Sequence, residues 1–287
     1  MMAHVSKRNP RIIDIQPTQS RHETIPFHDP LDIFGKKFST GLDRNRAEMA
    51  FLGARLREST KPALRILQVG IGENFVGETV NILDALERTG KQYELICMDS
   101  NLWITLKHAA QDEFIAKGDY YRLLDVPPAE LRKLVFDLAC IENIREIRTP
   151  DKLGIFAAAF DGAQLMDFRF DIPQRILDCI TYIIGDTAKD GIPADLLGEG
   201  FDAVVCFHTL YHIDDREDVR HAVQNLIRYL SAHGLLAIDT GKGMLRSLFG
   251  QNLERLPNMR CVFGPNRELG GQTDSYYVFE KSASAND

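Results

Sequence analysis

Ala63-Leu64-Arg65-Ile66-Leu67-Gln68-Val69 runs straight into Gly70-Ile71-Gly72, an apolar stretch cut off by two glycines. It is too short for a stable helix and is bounded by turn residues, which marks a buried strand. Val76, Val80, Leu83 and Leu86 then share one helical face, and Gly90 supplies the stop. Residues 93–98 form a second strand that closes on Asp99. Strand, helix and strand in that order are a βαβ unit, with both strands parallel in one sheet.

The alternation continues on both sides of this unit. Residues 103–116 follow as a helix, and a further helix starts at Pro128 with Leu131, Leu134, Val135 and Leu138 on its apolar face. Continuous apolar strands recur at 180–184, 201–207 and 235–239. Before the last of these, Asp214 and Glu217 have capping-box spacing, and Val219, Ala222, Val223, Leu226, Ile227 and Leu230 recur at helical intervals up to Gly234. Residues 244–256 read as one more helix, and 260–263 and 275–279 as two closing strands joined by a Gly-rich turn. Strands that are apolar throughout are covered on both faces. The expected fold is α/β: a doubly wound, mostly parallel seven-stranded sheet with an antiparallel C-terminal edge. Residues 1–26 are polar and broken by prolines, a tail or an arm laid across the body, and 29–59 carry a helical pattern. The expected division is an N-terminal arm and helical cap over 1–60 and the α/β domain over 61–287, with an irregular middle at 117–175.

Composition narrows the function classes. With 287 residues, 44% of them hydrophobic, the chain can bury a sizeable core. Acidic residues outnumber basic ones by 41 to 34, so no basic face advertises a nucleic-acid partner. No apolar run reaches the length of a membrane span, and the first thirty residues lack a signal-peptide core, which points to the cytoplasm and away from membranes. The five cysteines are odd in number and form no C-x-x-C pair, so free thiols and no metal site are expected.

In open α/β sheets ligands bind beyond the carboxyl ends of the strands. Those ends read Gly70-Ile71-Gly72, Asp99-Ser100, Gly185-Asp186-Thr187, Phe207-His208 and Asp239. Gly70 and Gly72 permit a tight turn and close approach of a ligand to backbone. A dinucleotide fingerprint wants a third glycine where this chain has Phe75. Glu78, at the start of the following helix, would repel a pyrophosphate and suits a cation such as an amino-acid ammonium. Asp99 can accept both hydroxyls of a ribose or cap a helix. Asp186 can accept from an adenine amine or serve a turn.

Taken in order, these residues resemble the class I S-adenosylmethionine-dependent methyltransferases over about residues 63–240. Residues 66–72 are similar to that family's first motif, Met98-Asp99 to its ribose-binding acid, 184–186 to its adenine-side acid, and 201–208 to the fourth motif that faces the substrate. Gly77-Glu78, residues 131–136 and residues 202–206 further resemble the chemotaxis-receptor glutamate methyltransferases. Phe207-His208 departs from the Arg-Asn of that subgroup, and the first 60 residues do not read like its docking domain.

The resemblance implies S-adenosyl-L-methionine as cofactor, held by Gly70, Gly72, Phe75, Glu78, Asp99, Ser100, Asp186, Thr187 and Phe207. It implies methyl transfer to O or N of a small-molecule acceptor. Alternatives are a protein carboxyl methyltransferase or a catalytically silent cofactor-binding module. A nicotinamide dehydrogenase is disfavoured by Phe75 and Glu78. His208 is the candidate base, because histidine titrates near working pH, with Tyr211 and His212 as alternates. The bland reading of His212 packs it beneath the following helix. Phe207, Tyr211 and Trp103 offer aromatic faces to a sulfonium, and His28, Asp29 and Phe34 are lid candidates. The number of copies is left open, a homo-oligomer included.

Overall fold

The computed structural model describes residues 10–16, 45–72, 78–110, 113–116, 138–148, 166–213, 215–239, 256, 258–267 and 275–282. In chain order its elements are β1 Arg11–Asp14, α1 Arg46–Glu58, β2 Ala63–Val69, α2 Glu78–Glu87, β3 Gln92–Asp99 and α3 Leu102–Ala109. Then come β4 Glu113–Ala116, β5 Asn143–Arg148, β6 Met166–Asp171, α4 Gln174–Leu177 and β7 Ile180–Ile184. The chain continues with α5 Ala194–Leu197, β8 Phe201–Cys206, a 3-10 turn Leu210–His212, α6 Arg216–Tyr229, β9 Leu230–Asp239, β10 Met259–Arg267 and β11 Ser275–Lys281.

The main sheet has the order β1-β7-β3-β2-β8-β9-β11-β10. Pairing is parallel from β1 through β9 and antiparallel across β9, β11 and β10. The sheet is doubly wound, mostly parallel and closed by an antiparallel edge, as the class I methyltransferase resemblance implies. It has eight strands and not seven. The extra one is β1, which pairs along β7 from Arg11↔Thr181 to Asp14↔Ile184. Only Ile12 and Ile13 mark it in sequence, but without it the outer rim of β7 would present unpaired amides and carbonyls.

Side chains alternate across β2 and feed two cores. Leu64 and Ile66 pack with Met49, Leu52 and Leu56 of α1 and Val80, Leu83 and Leu86 of α2. Leu67 and Val69 pack on the other face with Val219, Val223 and Leu226 of α6. Gly53 of α1 lies so close to α2 that a Cβ there would stand 3.2 Å from Ala85. Beneath the first turn of α2 a buried polar chain ties four elements together. Thr79 Oγ1 donates to Gln68 Oε1 at 2.8 Å, His108 Nε2 lies 3.2 Å from Thr79 Oγ1, and His108 Nδ1 lies 3.1 Å from Tyr182 Oη. The threonine's one proton is committed to Gln68, so His108 donates from Nε2 and accepts from the tyrosine.

Several local expectations change. The helix expected over 103–116 ends at Ala109, and the chain turns into β4, which joins β6 and β5 in a separate three-stranded antiparallel sheet. The helix cap before α6 is Asp215, whose Oδ1 accepts from Glu217 N at 2.7 Å and Asp218 N at 3.1 Å. Gly234 does not end that helix. It lies inside β9, where the register against β8 jumps from Phe201↔Leu230 to Ala203↔Leu235, and a Cβ there would stand 2.8 Å from Phe201 O. The helix starting at Pro128 and the one over 244–256 fall outside the described residues apart from Leu138 and Leu256, both buried. No helix among the described residues is long and apolar enough to cross a membrane.

Candidate functional site

Strand order reverses about β2, with β3, β7 and β1 on one side and β8 and β9 on the other. The carboxyl ends of β2 and its neighbours therefore flank a crevice, the place where such sheets hold ligands. Gly70 and Gly72 turn there with φ of 75° and 64°. The first has no alternative: a Cβ at Gly70 would stand 1.9 Å from Thr209 Oγ1. That hydroxyl lies 3.1 Å from Val69 O and 2.9 Å from Phe207 O, stitching the end of β2 to the end of β8.

The glycine turn is also tied to Asp99. Gly70 N donates to Met98 O at 2.8 Å, and Ile71 N donates to Asp99 Oδ2 at 3.2 Å. Asp99 Oδ1 accepts from Asn101 N at 2.9 Å. Burial pushes this carboxyl up to about 6, against the pull of the Asn101, Ile71 and Gly72 amides. Asp99 is not the cap of α3. That role falls to Asn101, whose Oδ1 accepts from Ile104 N at 3.1 Å. Ser100 is exposed, and its carbonyl accepts from Gln16 Nε2 at 2.7 Å.

At the end of β7, Asp186 serves a turn: its Oδ1 accepts from Ala188 N at 2.8 Å and its own N–H donates to Asp190 Oδ2 at 2.8 Å. Thr187 is buried, and its hydroxyl has no hydrogen-bond partner among the described residues. Gly185 leaves room for Ile15, which follows β1; a Cβ at Gly185 would stand 2.7 Å from the Ile15 side chain.

The densest chemistry lies across β8, β9 and β11. His208 follows β8 with a left-handed φ of 54°, uncommon for a residue with a side chain. Its N–H donates to Asp239 Oδ2 at 3.0 Å, and its Nδ1 lies 3.3 Å from the same oxygen. Its Nε2 lies 3.2 Å from Tyr276 Oη, with the two rings edge to face at 5.6 Å. Tyr276 stands directly opposite Asp239 in the β9–β11 register. Phe207 is buried with its ring edge-on to Tyr276. Its backbone N–H donates to Glu78, the buried first residue of α2. Burial and the neighbouring Asp239 hold the Glu78 carboxyl well above the usual range, and Glu78 Oε1 has no hydrogen-bond partner among the described residues.

The crevice thus gathers Gly70, Gly72, Glu78, Asp99, Phe207 and His208, with Ser100, Asp186 and Thr187 on its β3–β7 side. Phe75 lies outside the described residues, as do His28, Asp29 and Phe34 and the side chains of Trp103 and Tyr211. His212 is exposed and not packed under α6; its N–H donates to Thr209 O at 3.0 Å. Sequence reasoning gave no role to Tyr276 and listed Asp239 only as a strand end. Their meeting depends on antiparallel register, which no local pattern displays. A cavity of about 450 Å³ lined by Arg11, Tyr93, Glu94, Asp178 and Cys179 opens at the opposite end of the sheet, away from all of these groups. No cluster of three or more potential metal ligands occurs among the described residues.

No family model and no curated protein matches the chain. Solved structures do. The N-methyltransferase NodS from Bradyrhizobium japonicum, in complex with S-adenosylhomocysteine, is 13% identical; the match covers 82% of this chain and 86% of that one, with a TM-score of 0.36. The magnesium protoporphyrin IX methyltransferase of Synechocystis, with bound S-adenosylmethionine, is 10% identical over 83% and 80% of the two chains, with a TM-score of 0.40. An rRNA methylase from Streptococcus thermophilus is 10% identical over 81% and 95%, with a TM-score of 0.41. The likeness to the chemotaxis-receptor enzymes is not shown by these comparisons, and residues 131–136, quoted for it, lie outside the described residues.

Proposed function

We propose that this chain is an S-adenosylmethionine-dependent methyltransferase acting on O or N of a small-molecule acceptor. The observation that carries the reading is the carboxyl group of Asp99 joined by the Ile71 amide to the glycine turn, at the point where strand order reverses. Glu78 Oε1 and Thr187 Oγ1, buried and without hydrogen-bond partners among the described residues, fit a ligand with a cationic group at one end and a polar base at the other.

In this reading Asp99 and Ser100 receive the ribose, Asp186 and Thr187 the adenine, and the Gly70–Gly72 backbone the amino-acid portion. Glu78 faces the ammonium, and Phe75 and Phe207 line the sulfonium end. The cofactor supplies a methyl group on a positively charged sulfur. The chain aligns a nucleophile behind that methyl, excludes water and, where the nucleophile carries a proton, takes it on His208. Tyr211 and His212 are the lesser candidates for that role, His212 because it stands in solvent.

Titration calorimetry with S-adenosylhomocysteine and, separately, NADH tests the reading. Binding of the thioether is expected, and Asp99→Ala should weaken it by roughly 1.5–3 kcal/mol, the scale of lost hydrogen bonds to a charged group. Tight NADH binding with no thioether binding overturns the cofactor assignment, and unchanged affinity in Asp99→Ala overturns the ribose role.

A further inference from the structure

We infer that β1 belongs to the cofactor site: the Asp14–Gln16 turn at its end braces the two turns that carry the adenosine, and Gln16 is a positioning residue for that half of the cofactor. This rests on the methyltransferase reading and adds to it a segment outside the seven strands that the family resemblance implies.

Asp14, Ile184 and Asp99 stand abreast in the register of β1, β7 and β3. Just beyond them lie the turns assigned to base and ribose, 185–187 and 99–101. Ile15 N donates to Ile184 O at 3.0 Å, which carries the ladder to the last residue of β7. Gly185 N donates to Asp99 O at 2.9 Å and joins the two ligand turns. Asp14 Oδ1 accepts from Gln16 N at 3.0 Å, an Asx turn that bends the chain as it leaves β1. Gln16 Nε2 then donates to Ser100 O at 2.7 Å. β1 has no ladder with β3, because β7 lies between them. The Gln16 side chain therefore spans the tip of β7 and closes a ring of hydrogen bonds through three strand ends.

The span is open because residue 185 has no side chain. A Cβ there would stand 2.7 Å from Ile15 and 3.1 Å from Met98 Cε, so the half-buried Ile15 takes that space and packs with Met98 and Ile183. Without β1, the turn after β7 would be held from one side only, by β3. A turn that is ordered only when the ligand arrives costs affinity, and one braced beforehand does not. Linkage makes the effect reciprocal: a ligand that needs the braced turns must hold β1 in place by the same factor. Gln16 acts through Ser100 and Asp99, and the groups that face the ligand remain those of the two turns.

The test uses the full chain with S-adenosylhomocysteine and with methylthioadenosine, which keeps the adenosine and the thioether and lacks the amino-acid portion. Calorimetry gives the affinities, and hydrogen exchange read by mass spectrometry follows the amides of residues 10–16. Gln16→Ala should weaken both ligands by the same factor, about three- to tenfold, the worth of one hydrogen bond. The ligand-free variant should melt within about 2 °C of wild type. Arg11→Ala, at the exposed far end of β1, should bind as wild type does. Saturation with either ligand should slow exchange over residues 10–16 in the wild type, and less so in Gln16→Ala. Unchanged affinity in Gln16→Ala, or a loss confined to S-adenosylhomocysteine, overturns the inference. So does exchange over 10–16 in the wild type that is indifferent to bound ligand, a readout that stands even where the variant melts early. A wild-type chain that binds neither compound removes the methyltransferase reading, and this inference with it.

Discussion

Gly70→Ala strikes the glycine turn at its tightest contact. A methyl there would stand 1.9 Å from Thr209 Oγ1, 2.7 Å from its Cγ2 and 2.8 Å from its Cβ. Rotating the threonine cannot relieve the last of these contacts, so the backbone after β8 must shift. The left-handed φ of 75° adds about 1–2 kcal/mol for any residue with a Cβ. Overpacking at a rigid contact adds about 1–3 kcal/mol, and loss of the Thr209 bond to Val69 O about 0.5–1.5 kcal/mol. A total of roughly 3–6 kcal/mol follows, or a fall in Tm of about 6–15 °C for a chain of this size. Thermal melts followed by circular dichroism measure it. Thr209→Ala removes the two closest atoms and leaves the φ penalty, so the double variant should recover about 1 kcal/mol or more against additivity. A single variant melting within about 1 °C of wild type, or strict additivity in the pair, would refute the account of why glycine is required.

Two further outcomes follow from local chemistry. The Asp99 carboxyl ionises near 3.8 when unfolded and at about 6 when folded, so the folded chain binds its proton more tightly and loses stability as pH rises through that interval. The difference between wild type and Asp99→Asn in urea unfolding should fall by roughly 1–2 kcal/mol from about pH 4 to about pH 6, discounted for the partial exposure of the group. A difference that grows with pH would contradict the buried setting of Asp99. Asp215→Ala frees the Glu217 and Asp218 amides at the start of α6 and should destabilise by about 1 kcal/mol in the same assay; a variant as stable as wild type would contradict the cap.

The parallel core was legible because its strands are buried on both faces and so read as unbroken apolar runs; β2, β3, β7 and β8 lie where those runs end on glycine, acid or histidine. The rim was not. Arg11–Asp14 is four residues with two isoleucines, and it becomes a strand only because β7 offers it a partner. The small sheet of β4, β5 and β6 likewise gains its order from pairing between segments far apart in the chain. Among site residues, Asp99 and the glycine pair were visible because each ends a strand. Asp186 was visible for the same reason, although its carboxylate binds its own turn. Tyr276 was hidden: its partner His208 follows a strand far away in the chain, and only the pairing of Tyr276 with Asp239 carries it to the imidazole.

The way β1 completes the sheet sets a schedule for folding. Residues 11–14 are synthesised well before the strand they join, which is not complete until residue 184 has emerged. A strand made before its partner therefore docks late, and until it does, the nascent chain carries an open seam along β7.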